Sequence, residues 1–175
     1  MVMVLILYPQ FLAKLKSELQ DYIMNRDTII RELGNRLGIK DIQSDSEGRC
    51  YLLFDETLEV FIQKGREKNI VYFESNIDEL PNQNKEEIYF KILKHSLLLF
   101  KNFDAVVAID KDHDKIQLFS VVNVNNTNLN DLEIALEKFV NGVETLNKWY
   151  DSWKTQQSIK QSVSLNSSGL NIIRP

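Results

Sequence analysis

Two hydrophobic periodicities take turns along the chain, one of three to four residues and one of two. Phe11, Leu15, Leu19, Tyr22, Ile23, Ile30, Leu33 and Leu37 predict a helix over Gln10–Leu37, with Asn25-Arg26-Asp27 as a place to break or bend it. Gly38 suits the left-handed position just past that helix. Arg49–Phe54, Thr57–Gln63 and Ile70–Ser75 predict three strands, joined by an Asp55-Glu56 turn and by a loop over Lys64–Asn69 that holds Gly65. Pro81 closes this segment. Asn84 and Glu87 have capping-box spacing at the start of a helix over Lys85–Lys101. Its stripe of Ile88, Ile92, Leu93, Ser96, Leu97 and Phe100 is widened by Leu98 and Leu99 to most of the circumference, so it is buried or shared with a partner. Asp104–Ile109 and Ile116–Val122 predict a second hairpin. Asn128 or Asn130 caps a third helix that reaches at least Trp153, with Asp131 and Glu133 in its first turn.

The order is therefore α-β-β-β-α-β-β-α. Short connections make the strand pairs antiparallel, which gives an α+β class: a twisted antiparallel sheet packed by helices, not a doubly wound fold. One domain is expected over 1–152, and it includes an extra apolar segment at 1–9. From Lys154 the chain turns rich in Ser, Gln and Asn, with three basic groups and no acid, so 153–175 reads as a weakly structured tail. Val2–Tyr8 (VMVLILY) is too short to cross a membrane, which takes about 20 apolar residues. It also lacks the charged start and small-residue cleavage site of a secretory signal. It reads as a buried or edge strand, or one that lies on a partner.

The strands carry the strongest clue. Cys50, Leu52 and Phe54 share one side of their strand, and Tyr51 and Leu53 the other. Leu58, Val60 and Ile62 oppose Phe61, and Ile70 and Tyr72 oppose Val71 and Phe73. An antiparallel sheet with one wet face should alternate apolar with polar. This one is apolar on both faces, which predicts a second subunit or a ligand chain on part of it. The third helix adds an a/d seam of Leu129, Leu132, Leu136, Phe139, Val143, Leu146, Tyr150 and Trp153. Either a zipper between subunits or packing along the chain's own sheet produces this seam. Packing on the sheet is the reading for Leu129–Val143, and the end with Trp149, Tyr150 and Trp153 extends far enough to meet a partner.

Composition removes most other readings. A net charge of −4 and a pI near 5.3 argue against nucleic acid or an anionic membrane as main partner. The single cysteine, Cys50, excludes an internal disulfide and points to a reducing compartment. Asp110, Asp112 and Asp114 start like a calcium loop, but Lys115 stands where the turn glycine belongs and Val121 where the bidentate Glu belongs. His95 and His113, the only histidines, fall on different elements without zinc spacing. Cys50, at the start of a predicted strand among apolar neighbours, reads as a small buried hydrophobe, since a nucleophile would need a base and an orienting group nearby. The expectation is a protein-binding protein with no cofactor and no catalytic residue.

Two segments resemble the Tir-chaperone-like effector chaperones of bacterial type III secretion. The first is Ile30-Arg-Glu-Leu-Gly-Asn-Arg-Leu-Gly-Ile39 followed by Glu47-Gly-Arg-Cys-Tyr-Leu-Leu-Phe-Asp55. The second is Leu136-Glu-Lys-Phe-Val-Asn-Gly-Val-Glu-Thr-Leu146. With the element order and low pI, the likeness spans about residues 12–152. It implies a bacterial cytoplasmic homodimer, with a heterodimer left open, that holds an extended N-terminal segment of a secreted effector and keeps it soluble and export-competent. It implies a dimer interface of Leu93, Leu97, Leu98, Phe100, Val106 and Val107. Effector contacts would fall on Leu33, Leu37, Ile39, Tyr51, Leu53, Val60 and Ile62, with main-chain pairing at a sheet edge. The alternative is a regulatory domain that sequesters a folded partner, such as a secretion regulator or a transcription factor.

Overall fold

The computed structural model describes residues 26–168 except 40, 41, 43, 44, 46, 47, 68 and 111. The expected strand at Val2–Tyr8, the expected helix over 10–25 and the tail after 168 lie outside the described residues. The elements are α1 (Arg26–Arg36), β1 (Arg49–Phe54), β2 (Leu58–Lys64), β3 (Ile70–Glu79), α2 (Lys85–Phe103), β4 (Ala105–Asp110), β5 (Lys115–Asn123), a 3-10 turn (Val124–Asn126) and α3 (Leu129–Ser168). All strand pairs are antiparallel and the sheet order is β1-β2-β3-β5-β4. The α+β order expected from the sequence is the one observed.

Local chemistry sets the joints. The main chain leaves α1 through a Schellman turn. Gly38 has φ 77°, its N–H bonds the Asn35 carbonyl at 3.1 Å, and Ile39 N–H bonds the Gly34 carbonyl at 2.8 Å. Asp55 and Glu56 both have positive φ, which gives the β1–β2 hairpin the twist that matches its strands. Asn128 caps α3 by accepting from Asp131 N–H at 2.9 Å, and Asp131 returns a longer bond to Asn128 N–H. Asn84 does sit at the start of α2. Its φ is 59° and its side chain makes no capping bond, so the box expected with Glu87 does not close.

β3 runs four residues further than its expected end at Ser75, because its register with β5 shifts between Asn76 and Asp78. Ile77 is the extra residue and packs against both core clusters. This longer strand carries the sheet out under the far end of α3.

The core lies on one face of the sheet, called inner here. Cys50, Leu52, Val60, Ile62, Val71, Phe73 and Leu118 point into it from the strands, Ile29, Ile30 and Leu33 from α1, and Leu132 through Leu146 from α3. The rings of Phe73 and Phe139 meet at 5.7 Å. A second cluster joins Ile88 and Ile92 of α2 to Leu80, Ile116, Tyr150 and Trp153. The whole α3 seam is thus used within the chain. The expectation that its aromatic end meets a partner is corrected: α2 and Leu80 extend the surface that the sheet alone would offer. Tyr150 O–H also donates to the Glu79 carbonyl at 2.9 Å.

The expectation of a weakly structured tail from Lys154 is likewise revised, since α3 continues to Ser168. Lys154 ties this stretch down through Asp78 (2.6 Å) and Asp151 (2.9 Å). These carboxylates push the Lys154 ammonium up to about 12.

Val60 is fully buried between β1, β3 and the helices. Val60→Asp should therefore abolish the cooperative unfolding transition seen by circular dichroism, because it strands a charge in apolar surroundings. Phe139→Ala should lower unfolding free energy in urea by about 3–5 kcal/mol.

Candidate functional site

The opposite, outer face has no helix on it among the described residues. Register places Tyr51 across from Phe61 and Leu53 across from Glu59. The Tyr51 and Phe61 rings lie 5.5 Å apart, and the Arg49 guanidinium sits 5.7 Å from the Phe61 centroid. Tyr51 O–H donates to Glu59 Oε1 at 3.2 Å. Partial desolvation and that carboxylate hold the phenol above its usual range. Tyr51 and Leu53 are about half exposed, at 49% and 50%. β1 is also the last strand on its side, so no strand pairs with its far edge among the described residues. Where β1 ends, Leu37, Phe54, Leu136 and Val140 line a cleft of about 290 Å³, with Glu133 and Glu137 at its rim.

Polar groups cross the middle of the outer face. Gln117 Nε2 donates to Asn76 Oδ1 at 2.8 Å and to Glu74 Oε1 at 3.2 Å. Burial raises the Glu74 carboxyl above its ordinary range. Arg49 opposes that rise in part, and Asp110 adds to it. Beyond this strip the face turns apolar again at Phe119, Val121 and Val106. These three line a cleft of about 540 Å³ with Phe100 and Ile134. Val121 is 61% exposed.

The second bare surface is the solvent side of α2. Ile88, Ile92 and Leu99 turn inward, which leaves Phe90, Leu93, Leu97 and Phe100 as a stripe at steps of three and four. Leu93 is 72% exposed. Leu98 flanks the stripe, and Val106 continues it onto β4. Lys94 Nζ lies 4.4 Å from the centre of the Phe90 ring. Large apolar residues gathered in this way are uncommon on a monomer's surface.

The structure sorts the residues expected to contact a partner. Tyr51, Leu53 and Ile39 are exposed, and Leu37 lines the cleft at the end of β1. Leu33, Val60 and Ile62 are corrected. All three have zero exposure in the core, because Val60 and Ile62 pair with Leu52 and Cys50 on the inner face, opposite Tyr51 and Leu53. Of the residues expected at the dimer contact, Leu93, Leu97, Leu98, Phe100 and Val106 are exposed, whereas Val107 turns inward and packs against both core clusters. Phe61, Phe90 and Val121 were not anticipated. Phe61 follows once it is paired with Tyr51, and Phe90 once it is placed three residues before Leu93.

Among the described residues no group of three or more His, Cys, Asp or Glu is placed to hold a metal, and no helix is long and apolar enough to cross a membrane. Asp110 spends its carboxylate inside its own turn, on Asp112 N–H at 2.9 Å and the His113 ring at 2.6 Å. These bonds hold its carboxyl below the usual range. His95 lies 4.2 Å from the Trp149 ring, and its partial burial there lowers its pKa.

The model of the Tir chaperone protein (CesT) family matches residues 28–147. No curated protein matches the chain. Among solved structures, the fold is similar to the ExsC–ExsE complex, at 21% identity and a TM-score of 0.56 over 69% of this chain and 89% of that one. It is similar to the Yersinia pestis type III secretion chaperone SycH in complex with a stable fragment of YscM2, at 23% identity and a TM-score of 0.53 over 68% and 97%. The HopA1–SchA chaperone–effector complex matches at 8% identity and a TM-score of 0.57 over 77% and 97%.

Because the folded state disfavours the Glu74 carboxylate, its penalty is absent below the unfolded pKa and complete once pH passes the raised folded value. Glu74→Gln should therefore raise the melting temperature at pH 7 and leave it unchanged near pH 3, as read by thermal melts at both values.

Proposed function

The chain belongs to the Tir chaperone protein (CesT) family, and on that premise we propose that it is a cytoplasmic dimeric chaperone that binds an extended N-terminal segment of a secreted effector. The observation that carries this reading is the outer face around Tyr51 and Leu53, both about half exposed beside Phe61 on the strand pair that ends the described sheet. A disordered segment supplies what such a surface lacks. Its main chain can run alongside β1, and its apolar side chains can cover Tyr51, Leu53 and Phe61. The cleft between Leu37 and Phe54 takes one further side chain at the end of β1.

Capture of this kind keeps the segment extended, since each residue bound along an edge is held in the β conformation. It also hides the apolar side chains that would drive collapse or aggregation. Binding is the whole function in this reading, and no residue is assigned a catalytic role. The chaperones named above in complex with effector or partner proteins support the same direction of inference.

The second bare surface serves the dimer. Leu93, Leu97 and Phe100 lie on one side of α2, so two copies related by a two-fold axis bring identical stripes together. Leu98 and Val106 extend the contact. Interfaces of standard size bury about 800 Å² per partner, which a 19-residue helix side with an adjoining strand can supply. Lys94 lies across Phe90 and limits the stripe at one end.

The two surfaces separate in experiment. Leu97→Glu should reduce the solution mass from twice 20.4 kDa to 20.4 kDa by light scattering, without loss of helical signal. A wild-type monomer would overturn the homodimer. Leu53→Asp should leave the melting temperature within a few degrees of wild type and weaken binding to a disordered effector N-terminal segment at least tenfold by calorimetry. Full affinity in that variant would overturn the β1 site, and binding that requires the partner's folded form would favour a sequestering regulator.

A further inference from the structure

The cleft at the end of β1 combines two chemistries that one kind of side chain satisfies. Three elements meet there. Leu37 just past the last turn of α1, Phe54 at the end of β1, and Leu136 and Val140 of α3 give it apolar walls. Leu136 is buried, whereas Leu37, Phe54 and Val140 are only partly covered. Glu133 and Glu137 stand one helical turn apart on α3 and bring their side chains to the same cleft.

The two acids differ in what they already hold. Glu133 Oε2 meets Arg36 Nε at 2.8 Å, a contact that also ties the end of α1 to α3. The Glu137 carboxylate is exposed and has no ion pair or hydrogen bond among the described residues. Two carboxylates therefore face one guanidinium, and the mouth keeps one net negative charge. The cleft holds about 290 Å³, at the lower limit of small-molecule pockets, which run roughly 300–1,000 Å³. It suits one side chain better than a whole ligand.

An apolar side chain would fill the walls but strip water from the Glu137 carboxylate with no hydrogen bond in return, which costs free energy. A small cation would meet that carboxylate and leave the walls wet. Lysine and arginine do both, since their methylene stems lie along apolar surface while the charged head stays at the mouth. On the premise that an effector segment lies along β1, we propose that this cleft receives a basic side chain of that segment. Its stem packs on Leu37, Phe54 and Val140, and its head donates to the Glu137 carboxylate.

Strand geometry fixes where the basic residue stands in the segment. Successive side chains of an extended chain point to opposite sides. Phe54 alternates with Cys50 and Leu52 on the inner side of β1, opposite Tyr51 and Leu53. Apolar residues at every second position thus cover Tyr51 and Leu53, and the basic residue belongs to the intervening set, level with Phe54.

The probe is acetyl-Ser-Val-Ser-Val-Arg-Val-Ser-amide, with its valines on one side and its arginine on the other. Its control carries citrulline for arginine, which keeps the shape and loses the charge. Affinities come from a methyl proton–carbon NMR titration of the full chain at low salt, following Leu37, Leu53 and Val140. The arginine peptide should bind about fivefold tighter than the citrulline peptide, the upper range for an ion pair at a partly open site, and should shift the Leu37 and Val140 signals. Glu137→Gln should bring the two peptides to equal affinity. Glu137→Lys should make a peptide with glutamate in place of arginine the tighter binder. Equal binding of both peptides by the wild-type chain, or a preference that survives Glu137→Gln, would overturn this inference and leave the β1 reading standing. Binding of N-acetyl-arginine amide as tight as that of the arginine peptide would overturn it in favour of a small-cation pocket. If neither peptide moves any of the three signals, this inference and the β1 reading fall together.

Discussion

Everything in this molecule depends on the packing of one long helix along one face of one sheet. The seam from Leu132 to Trp153 seals the inner face, with Phe139 against Phe73 at its centre. A helix that spans the sheet and runs past it supplies most of the apolar cover the strands need. α1 fills the side towards β1, and α2 fills the side towards β4. All three described helices are spent on the same face. Among the described residues the other face carries no such cover.

That asymmetry explains the placement of the two exposed apolar surfaces. On the β1 side α1 covers only the inner face, and β1 is the last strand there among the described residues. The α2 side is open because a helix apolar nearly all round can turn only part of its circumference to a core. Ile88, Ile92 and Leu99 take that part, and Leu93, Leu97 and Phe100 are left over. Burying a large apolar side chain is worth about 1.5–3 kcal/mol, so a handful of such residues is enough to drive association. A polar strip of Glu74, Asn76 and Gln117 keeps the two surfaces distinct.

Much of the fold was legible in the sequence, because period and turn chemistry are local. Arg49–Phe54 alternates, Asp55-Glu56 turns, Gly38 takes the left-handed position and Asn128 caps, and each does so with neighbours a few residues away. The face of the sheet was not legible. Tyr51 and Leu53 look as apolar as Cys50 and Leu52, so alternation left two equal answers for Val60 and Ile62. Only the position of α3, set by contacts far along the chain, decides between them. The length of α3 was missed for a related reason. Its last turns are polar in composition, and what fixes them is the Lys154–Asp78 pair and the burial of Trp153 beneath α2. Ile77 was missed because a bulge is defined by the partner strand, not by its own residue.

The sheet order has a consequence for synthesis. β3 at residue 73 must wait for β5 at residue 120 before its second edge is paired, and the inner face must wait longer still for α3. During translation β1–β3 leave the ribosome before β5 and α3, so the inner face and the second edge of β3 stay uncovered until those elements follow. Non-local pairing of this kind slows folding and exposes sticky intermediates. A nascent chain of this protein thus passes through a stage in which apolar strand surface stands exposed before its own long helix arrives to cover it.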